Sequence, residues 1–431
     1  MRGRRLLGLL AIALIVACGG SNTPAPPKLG ALATTVQVTF WHALSGNLLT
    51  ALTDLTTQFN SSQSNVKVTL VAKGAYTDLN KAVLTGLAAS QAPDLAQCIE
   101  TDAAKYNSSK ALADLTPYIN AVDGLSDADL KDIFPVMLNA AKIRGTYYQF
   151  PFNKSTTVLY YNKDMFAAKG ITSPPTTWDE FFADAAKLAD PAKGVTGIEG
   201  PTLDTFLSML YEYGGQMYDN PTNPTKATIN SAAGIKALTL WSDAIKSGAA
   251  KPIPAGNFAD QVDFQNQKTA MYMSTQVSYQ FIKGPIGTKF KFDEAAFPGG
   301  DKGVKDEMFG ANLCVFNKSA KDVQHGAFLY MKYLTSQDST TKWAQTTSYM
   351  PVRQSAYAAL QGSFYAQNPS QGVGAGMLSK GQLFALPVTP TSNEQRDALT
   401  TELGNIVAGR ADPKTGLDKA AQKMNDIMAT G

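Results

Sequence analysis

VQVTFWHALSGNLLTALTDLTTQFNSSQSNVKVTL, residues 36–70, decides the class of fold. Val36, Val38 and Phe40 alternate with other side chains at a period of two, which predicts a short strand. Leu48, Leu52, Leu55 and Phe59 then recur at helical spacing behind Ser45, a candidate N-cap. Val66, Val68 and Leu70 alternate again. Strand, helix and strand in so short a stretch form a βαβ unit, and that unit requires a parallel sheet.

The pattern continues on both sides of a central break. Leu79, Val83 and Leu87 predict a second helix, Pro93-Asp94 ends it, and residues 95–99 predict a third strand. A second α/β region opens near residue 152. It has a strand over 158–161 and a helix over 162–168 with Gly170 as its stop. Thr177-Trp178-Asp179-Glu180 is a capping box, helices follow near 205–213 and 232–247, and a buried strand is expected over 269–273. Residues 311–316 read as an apolar strand. Behind them Ser319-Ala320-Lys321-Asp322 is a cap for a helix bearing Val323, Ala327, Met331 and Leu334, and two tail helices lie near 392–408 and 416–428. Two α/β lobes are expected, with strands crossing between them more than once.

Composition narrows the function. Charged residues are 17% of the 431-residue chain, against about 25% in average globular proteins. Setting aside Arg2, Arg4 and Arg5 leaves 35 cationic and 35 anionic side chains. Such a chain lacks the dense basic footprint of a nucleic-acid binder. The three arginines precede an apolar run over 6–17, too short to span a bilayer and arranged as an export signal. Ile15-Val16-Ala17-Cys18-Gly19 looks like a bacterial lipobox, which implies cleavage before Cys18 and a lipid on its sulfur. The Gly, Ser, Pro, Ala and Thr composition over 18–35 then reads as a flexible tether.

Catalytic signatures fail in turn. GxSxG, GxxxxGK[ST] and a GxGxxG following a strand are missing, as are CxxC and HExxH. Gly372-Val373-Gly374-Ala375-Gly376 reads as a plain loop. His42 ends a strand without a nucleophile nearby, and His325 falls off the apolar face of its helix, so a solvated side chain is expected. No cofactor or metal is implied. Cys98 and Cys314 lie in apolar strand-like runs, as a disulfide or as buried thiols.

Ordered blocks carry a resemblance. They are Phe40-Trp41-His42, Lys73-Gly74-Ala75-Tyr76, Ala92-Pro93-Asp94, Pro151-Phe152-Asn153, then Val158-Leu159-Tyr160-Tyr161-Asn162-Lys163-Asp164, Thr177-Trp178, Gly310 and Ser348-Tyr349-Met350-Pro351. Together they resemble the family 1 solute-binding proteins of bacterial ABC importers, and within that family the members that bind glycerol 3-phosphate. The resemblance implies a two-lobed, maltose-binding-protein-like periplasmic fold with a ligand cleft and several hinge crossovers. Lobe 1 is expected over 36–152 and 311–346, lobe 2 over 153–310 and 347–431. It further implies an extracytoplasmic, lipid-anchored monomer that delivers its ligand to a permease driven by a separate ATPase.

By the same resemblance, Tyr76, Ser155, Thr275, the Gly310 backbone, Tyr349 and Arg396 would hold a phosphate, and Glu100 would accept from glycerol hydroxyls. Hydroxyls, a backbone N–H and a bidentate guanidinium suit phosphate oxygens. Taken singly, each has a plainer role: tyrosines in a cleft wall, structural hydroxyls, a turn glycine, a solvated Glu100 at a strand end. Arg396 would ordinarily be solvated, but Ser392-Asn393-Glu394-Gln395 reads as a capping box that places it in a first helical turn. There it opposes the helix macrodipole unless an anion is bound. Pro201 and Asp204 stand where glycerol-phosphate binders place two tryptophans, which opens the cleft to a larger headgroup such as that of glycerophosphocholine. Asp204 would face its cation or, more ordinarily, cap the helix near Thr205. A neutral oligosaccharide receptor and an exported glycoside hydrolase remain the alternatives.

Overall fold

The computed structural model describes residues 28–430, so the export signal and Cys18 lie outside the described residues. The βαβ unit forms as its two periodicities require. The strand Val36–His42 pairs in parallel with Val66–Ala72, Val36 opposite Val66 and His42 opposite Ala72. The helix Gly46–Ser62 connects them and buries Leu48, Leu52, Leu55 and Phe59. Full burial of such a leucine contributes about 1.5–3 kcal/mol. Its partner is the helix Lys321–Leu334: Phe59 and Tyr330 have ring centroids 5.1 Å apart, and Thr56 Oγ1 lies 2.6 Å from Tyr330 OH.

The central sheet has five strands, in the order Val66–Ala72, Val36–His42, Leu95–Cys98, Phe309–Val315 and Phe150–Ser155. The first three run parallel, and Phe309–Val315 is antiparallel to both its neighbours. A second sheet places Thr157–Asn162 between Met271–Thr275 and Phe292–Ala295, all antiparallel. Beneath it an aromatic cluster of Trp178, Phe181, Phe182, Trp241 and Phe297 forms one end of the core. The Thr177–Glu180 capping box starts the helix that supplies three of these rings.

The chain crosses from one sheet to the other at Thr156, between Phe150–Ser155 and Thr157–Asn162. It crosses back at Met308, between the short strand Asp306–Glu307 and Phe309–Val315. Asp306 joins the two crossings: Oδ2 accepts from Thr157 N at 2.8 Å and from Thr156 Oγ1, and Oδ1 from Ser208 Oγ at 2.6 Å. Near Tyr349 the chain returns once more, and Met350 N donates to Lys154 O at 2.9 Å.

Several local expectations are corrected. His325 is buried, not solvated, because Asp123 Oδ1 sits 2.8 Å from its Nε2. The glycine-rich run at 372–376 enters a helix, Val373–Ser379, in which a Cβ on Gly374 would strike Gln276 at 2.2 Å. Ser319 does not cap the helix after it; its hydroxyl donates to Asp94 at 2.6 Å. Ser45 occupies the N-cap position but makes no side-chain capping bond. Within the expected tether, Leu32 is buried, its N–H donates to Asp123 Oδ2 at 3.1 Å, and Leu29 O accepts from Val122 N. Cys98 and Cys314 form a disulfide, which resolves the open alternative. No helix among the described residues is long and apolar enough to cross a membrane.

Candidate functional site

Loops at the carboxyl ends of parallel strands are where open α/β sheets place ligands. The strand Val66–Ala72 ends at Lys73-Gly74-Ala75 and delivers Tyr76 as the first residue of the helix Tyr76–Ala88. The strand Leu95–Cys98 likewise delivers Glu100 to the start of Glu100–Ser108. Both residues line a cavity of about 450 Å³ that Glu307, Gly310 and Arg396 line as well. The walls meet where Asn393 Nδ2 donates to Asp102 Oδ1 at 2.9 Å and Lys105 pairs with Glu394 at 3.1 Å. Burial pushes Asp102 up to about 6, against the bonds from Asn393 and the Ile99 backbone.

Each predicted residue can now be placed. Glu100 Oε1 accepts from Asn312 Nδ2 at 3.2 Å and from the ammonium of Lys154, whose side chain is 0% exposed. Glu100 is thus the counter-ion of a buried lysine, not a solvated strand end. Tyr76 OH accepts from Asn153 Nδ2 at 2.7 Å and shares a hydrogen bond with Tyr349. Burial holds both phenols above their ordinary value, so both are hydroxyl donors at neutral pH. Tyr349 stacks on Trp343, 5.8 Å between centroids and 9° between planes, which fixes its ring. Ser155 Oγ and Thr275 Oγ1 lie 2.6 Å apart, and Ser155 pairs in register with Phe309, another cavity residue.

Gly310 has φ +105, and a Cβ there would stand 2.2 Å from the carbonyl oxygen of Asn153. Only glycine fits this approach of two backbones. Tyr76, Glu100, Gly310 and Arg396 therefore line one cavity, while Ser155, Thr275 and Tyr349 do not line it: Ser155 and Thr275 bond to each other, and Tyr349 bonds to Tyr76.

Arg396 departs from expectation. Its helix begins at Ser392, so it falls in the second turn, and its charge is met by carboxylates. Nη2 donates to Asp204 Oδ1 at 2.6 Å and Nη1 to Glu307 Oε1 at 3.1 Å. Burial pulls the guanidinium down, but Glu307 and Asp204 outweigh it and hold it above its ordinary value. Asp204 is not the cap of its helix either: Thr202 Oγ1 accepts from Thr205 N at 3.1 Å, leaving Asp204 free to reach Arg396. Burial pushes Glu307 up to about 8 despite the arginine.

Lys154, Asn153, Asn312 and Glu307 were missed as site residues. A signal existed: Asn153-Lys154-Ser155-Thr156 is a polar quartet between two apolar strand patterns.

The sequence profile of the bacterial extracellular solute-binding proteins matches residues 54–370. The chain belongs to that family. It is similar to the sn-glycerol-3-phosphate-binding periplasmic protein UgpB of Rhizobium meliloti, 25% identical over 91% of this chain and 94% of that one. The UgpB of Yersinia pseudotuberculosis is 27% identical over 91% and 92%. In fold it is similar to UgpB from Mycobacterium tuberculosis in complex with glycerophosphocholine, with TM-score 0.80 and 21% identity over 92% of this chain and 99% of that one. It is equally similar to the cyclic alpha-maltosyl-1,6-maltose binding protein of Arthrobacter globiformis, with TM-score 0.80 and 22% identity over 92% and 100%. The protein is an extracytoplasmic solute-binding protein of an ABC importer and not an enzyme, which sets the glycoside-hydrolase alternative aside.

Proposed function

We propose that this solute-binding protein captures a glycerol phosphate compound, and that a glycerophosphodiester with a cationic headgroup, such as glycerophosphocholine, is preferred to sn-glycerol 3-phosphate. The observation that carries the reading is the convergence of Tyr76, Gly310 and Arg396 on one cavity, backed by the hydroxyls of Ser155, Thr275 and Tyr349. These groups donate hydrogen bonds, as phosphate oxygens require.

Charge favours the diester. Glu100, Asp102, Glu307 and Asp397 line the same cavity as Lys81 and Arg396, and Asp204 adds a further carboxylate beside the arginine. A dianionic monoester meets the carboxylates of Asp204 and Asp397 there, whereas a diester carries one negative charge and its headgroup cation is met by them. No tryptophan lines the cavity among the described residues, which leaves width for the headgroup.

The ligand biases an open–closed equilibrium only through contacts made better in the closed state. A ligand touching Tyr76 and Glu100 on one wall and Arg396 on the other meets that condition. Closure would then present the loaded protein to its permease, with Cys18 carrying the lipid anchor. Mass spectrometry of membrane-extracted protein, finding an unmodified Cys18, would end the anchoring part.

Calorimetric titration of the chain from Gly19 onward with glycerophosphocholine, glycerol 3-phosphate and maltose tests the ligand. Saturable binding is expected for the phosphate compounds, tighter for the diester, and lost in Arg396→Ala. The existing ion pair of Arg396 with Asp204 also suits an uncharged sugar; maltose binding indifferent to Arg396→Ala would establish that reading instead.

A further inference from the structure

Glu307 lines the cavity with one oxygen unaccounted for. Oε1 accepts from Arg396, while Oε2 is buried and has no hydrogen-bond partner in a side chain only 7% exposed. Its neighbour Asp306 differs, since both of its oxygens accept from Ser208, Thr156 and Thr157. A buried acceptor without a donor is costly, and the cost is larger for a charged group.

The groups around Glu307 limit how this can be relieved. Asp306 lies on its own strand, Asp204 and Tyr211 on the helix Leu203–Glu212, and Arg396 on the tail helix with Tyr218 near it. Among the described residues, Arg396 is the cation that faces it. Burial raises Glu307, Arg396 opposes this, and Asp204 and Asp306 raise it further.

An anion arriving at Arg396 must displace or share its carboxylates. Asp204, 36% exposed, can turn into water. Glu307 is enclosed and must stay. A phosphate and an ionised Glu307 side by side would repel, whereas a neutral carboxyl carries an O–H that it can donate once Arg396 turns to the anion. We propose that Glu307 is a ligand-contacting residue that binds the phosphate as a carboxylic acid, donating to a phosphate oxygen, so that binding is coupled to one proton on Glu307. This rests on the phosphate reading above.

The sign follows from linkage. Below about pH 8 Glu307 is already protonated in the free protein, and affinity is flat. Above it a proton must be taken up on binding, so affinity falls up to about tenfold per pH unit. Glycerophosphocholine is the suitable probe, because a phosphodiester lacks the second phosphate ionisation near pH 6. Calorimetry at pH 8.5 in two buffers of different ionisation enthalpy should give about 0.8 proton taken up per ligand, and Kd should weaken about 25-fold from pH 7.5 to 9.5. Glu307→Gln, neutral and still a donor, should bind within a few-fold of wild type at pH 7.5 and lose the pH slope.

Binding with no proton uptake at pH 8.5 and a flat profile would overturn the inference while leaving the phosphate reading intact. So would a slope that persists in Glu307→Gln, since another group would then carry the proton. A folded Glu307→Gln that no longer binds would mean that the carboxylate itself is required. No heat of binding from either phosphate compound at any pH would overturn the inference and the reading beneath it together.

Discussion

Reducing the Cys98–Cys314 disulfide should cost the protein several kcal/mol of stability. The bond closes a loop of 216 residues and ties the strand Leu95–Cys98 to Phe309–Val315 across the middle of the sheet. In the chain-entropy account, restricting the unfolded ensemble over that length contributes about 5 kcal/mol at 25 °C, an upper value, so about 3–5 kcal/mol is expected. Both sulfurs are buried among Leu79, Val83, Tyr106 and Phe316, where free thiols remain compatible with the fold. Reduction should therefore remove the tether and leave the packing. The Cys98→Ala/Cys314→Ala variant removes both and should fall roughly a further 1–2 kcal/mol. Urea unfolding followed by tryptophan fluorescence, with and without reductant, measures the difference in the chain from Gly19 onward. Equal midpoints in the two conditions would refute the reasoning. So would two reactive thiols per chain in denaturant without reductant, since only Cys98 and Cys314 remain there.

Other perturbations test separate links. Gly310→Ala forces a side chain onto φ +105 and against Asn153 O; it should destabilise by roughly 2–4 kcal/mol and weaken ligand binding at least tenfold, and an unchanged melting temperature would contradict this. Asp204→Ala removes a half-exposed partner of Arg396, so stability should move by no more than about 1 kcal/mol. Titration should show glycerol 3-phosphate gaining affinity relative to glycerophosphocholine; no change in that ratio would detach Asp204 from selectivity. Asp306, pushed up to about 7 by burial, and Glu307, up to about 8, hold protons in the folded state that the unfolded chain releases. Their stabilisation is present in full below the ordinary carboxylate range and is lost as pH rises through 7 and 8, at up to about 1.4 kcal/mol per pH unit for each. Melting temperature should therefore fall from pH 5.5 to 8.5, and a rise over that interval would count against both assignments.

The parts of the molecule legible in its sequence are those governed by a short period. Val36, Val38 and Phe40 announced a strand because one face of that strand is buried, and Leu48 to Phe59 a helix for the same reason. Thr177–Glu180 was legible because a capping box is local chemistry. What stayed hidden depends on partners far along the chain. His325 looked solvated because its helix gives no sign of Asp123, and Arg396 looked unpaired because Asp204 lies 192 residues away. The same holds for Lys154, whose ion-pair partner Glu100 comes from a different strand end.

Some of the hidden partners gather where the chain changes sheets. Asn153, Lys154 and Ser155 end the strand before the first crossing at Thr156, and Asp306 and Glu307 form the short strand before the return at Met308. A strand inside a sheet is flanked by ladder partners and can be apolar throughout. A strand that changes sheets loses them for a residue or two, and its polar groups must be met by side chains. The bond from Thr157 N to Asp306 Oδ2 is that compensation, and the hydroxyls of Thr156 and Ser208 hold the same carboxylate in place. Buried polar residues that interrupt an apolar strand pattern, as Asn153-Lys154-Ser155-Thr156 does, therefore mark where the chain passes from one sheet to the next.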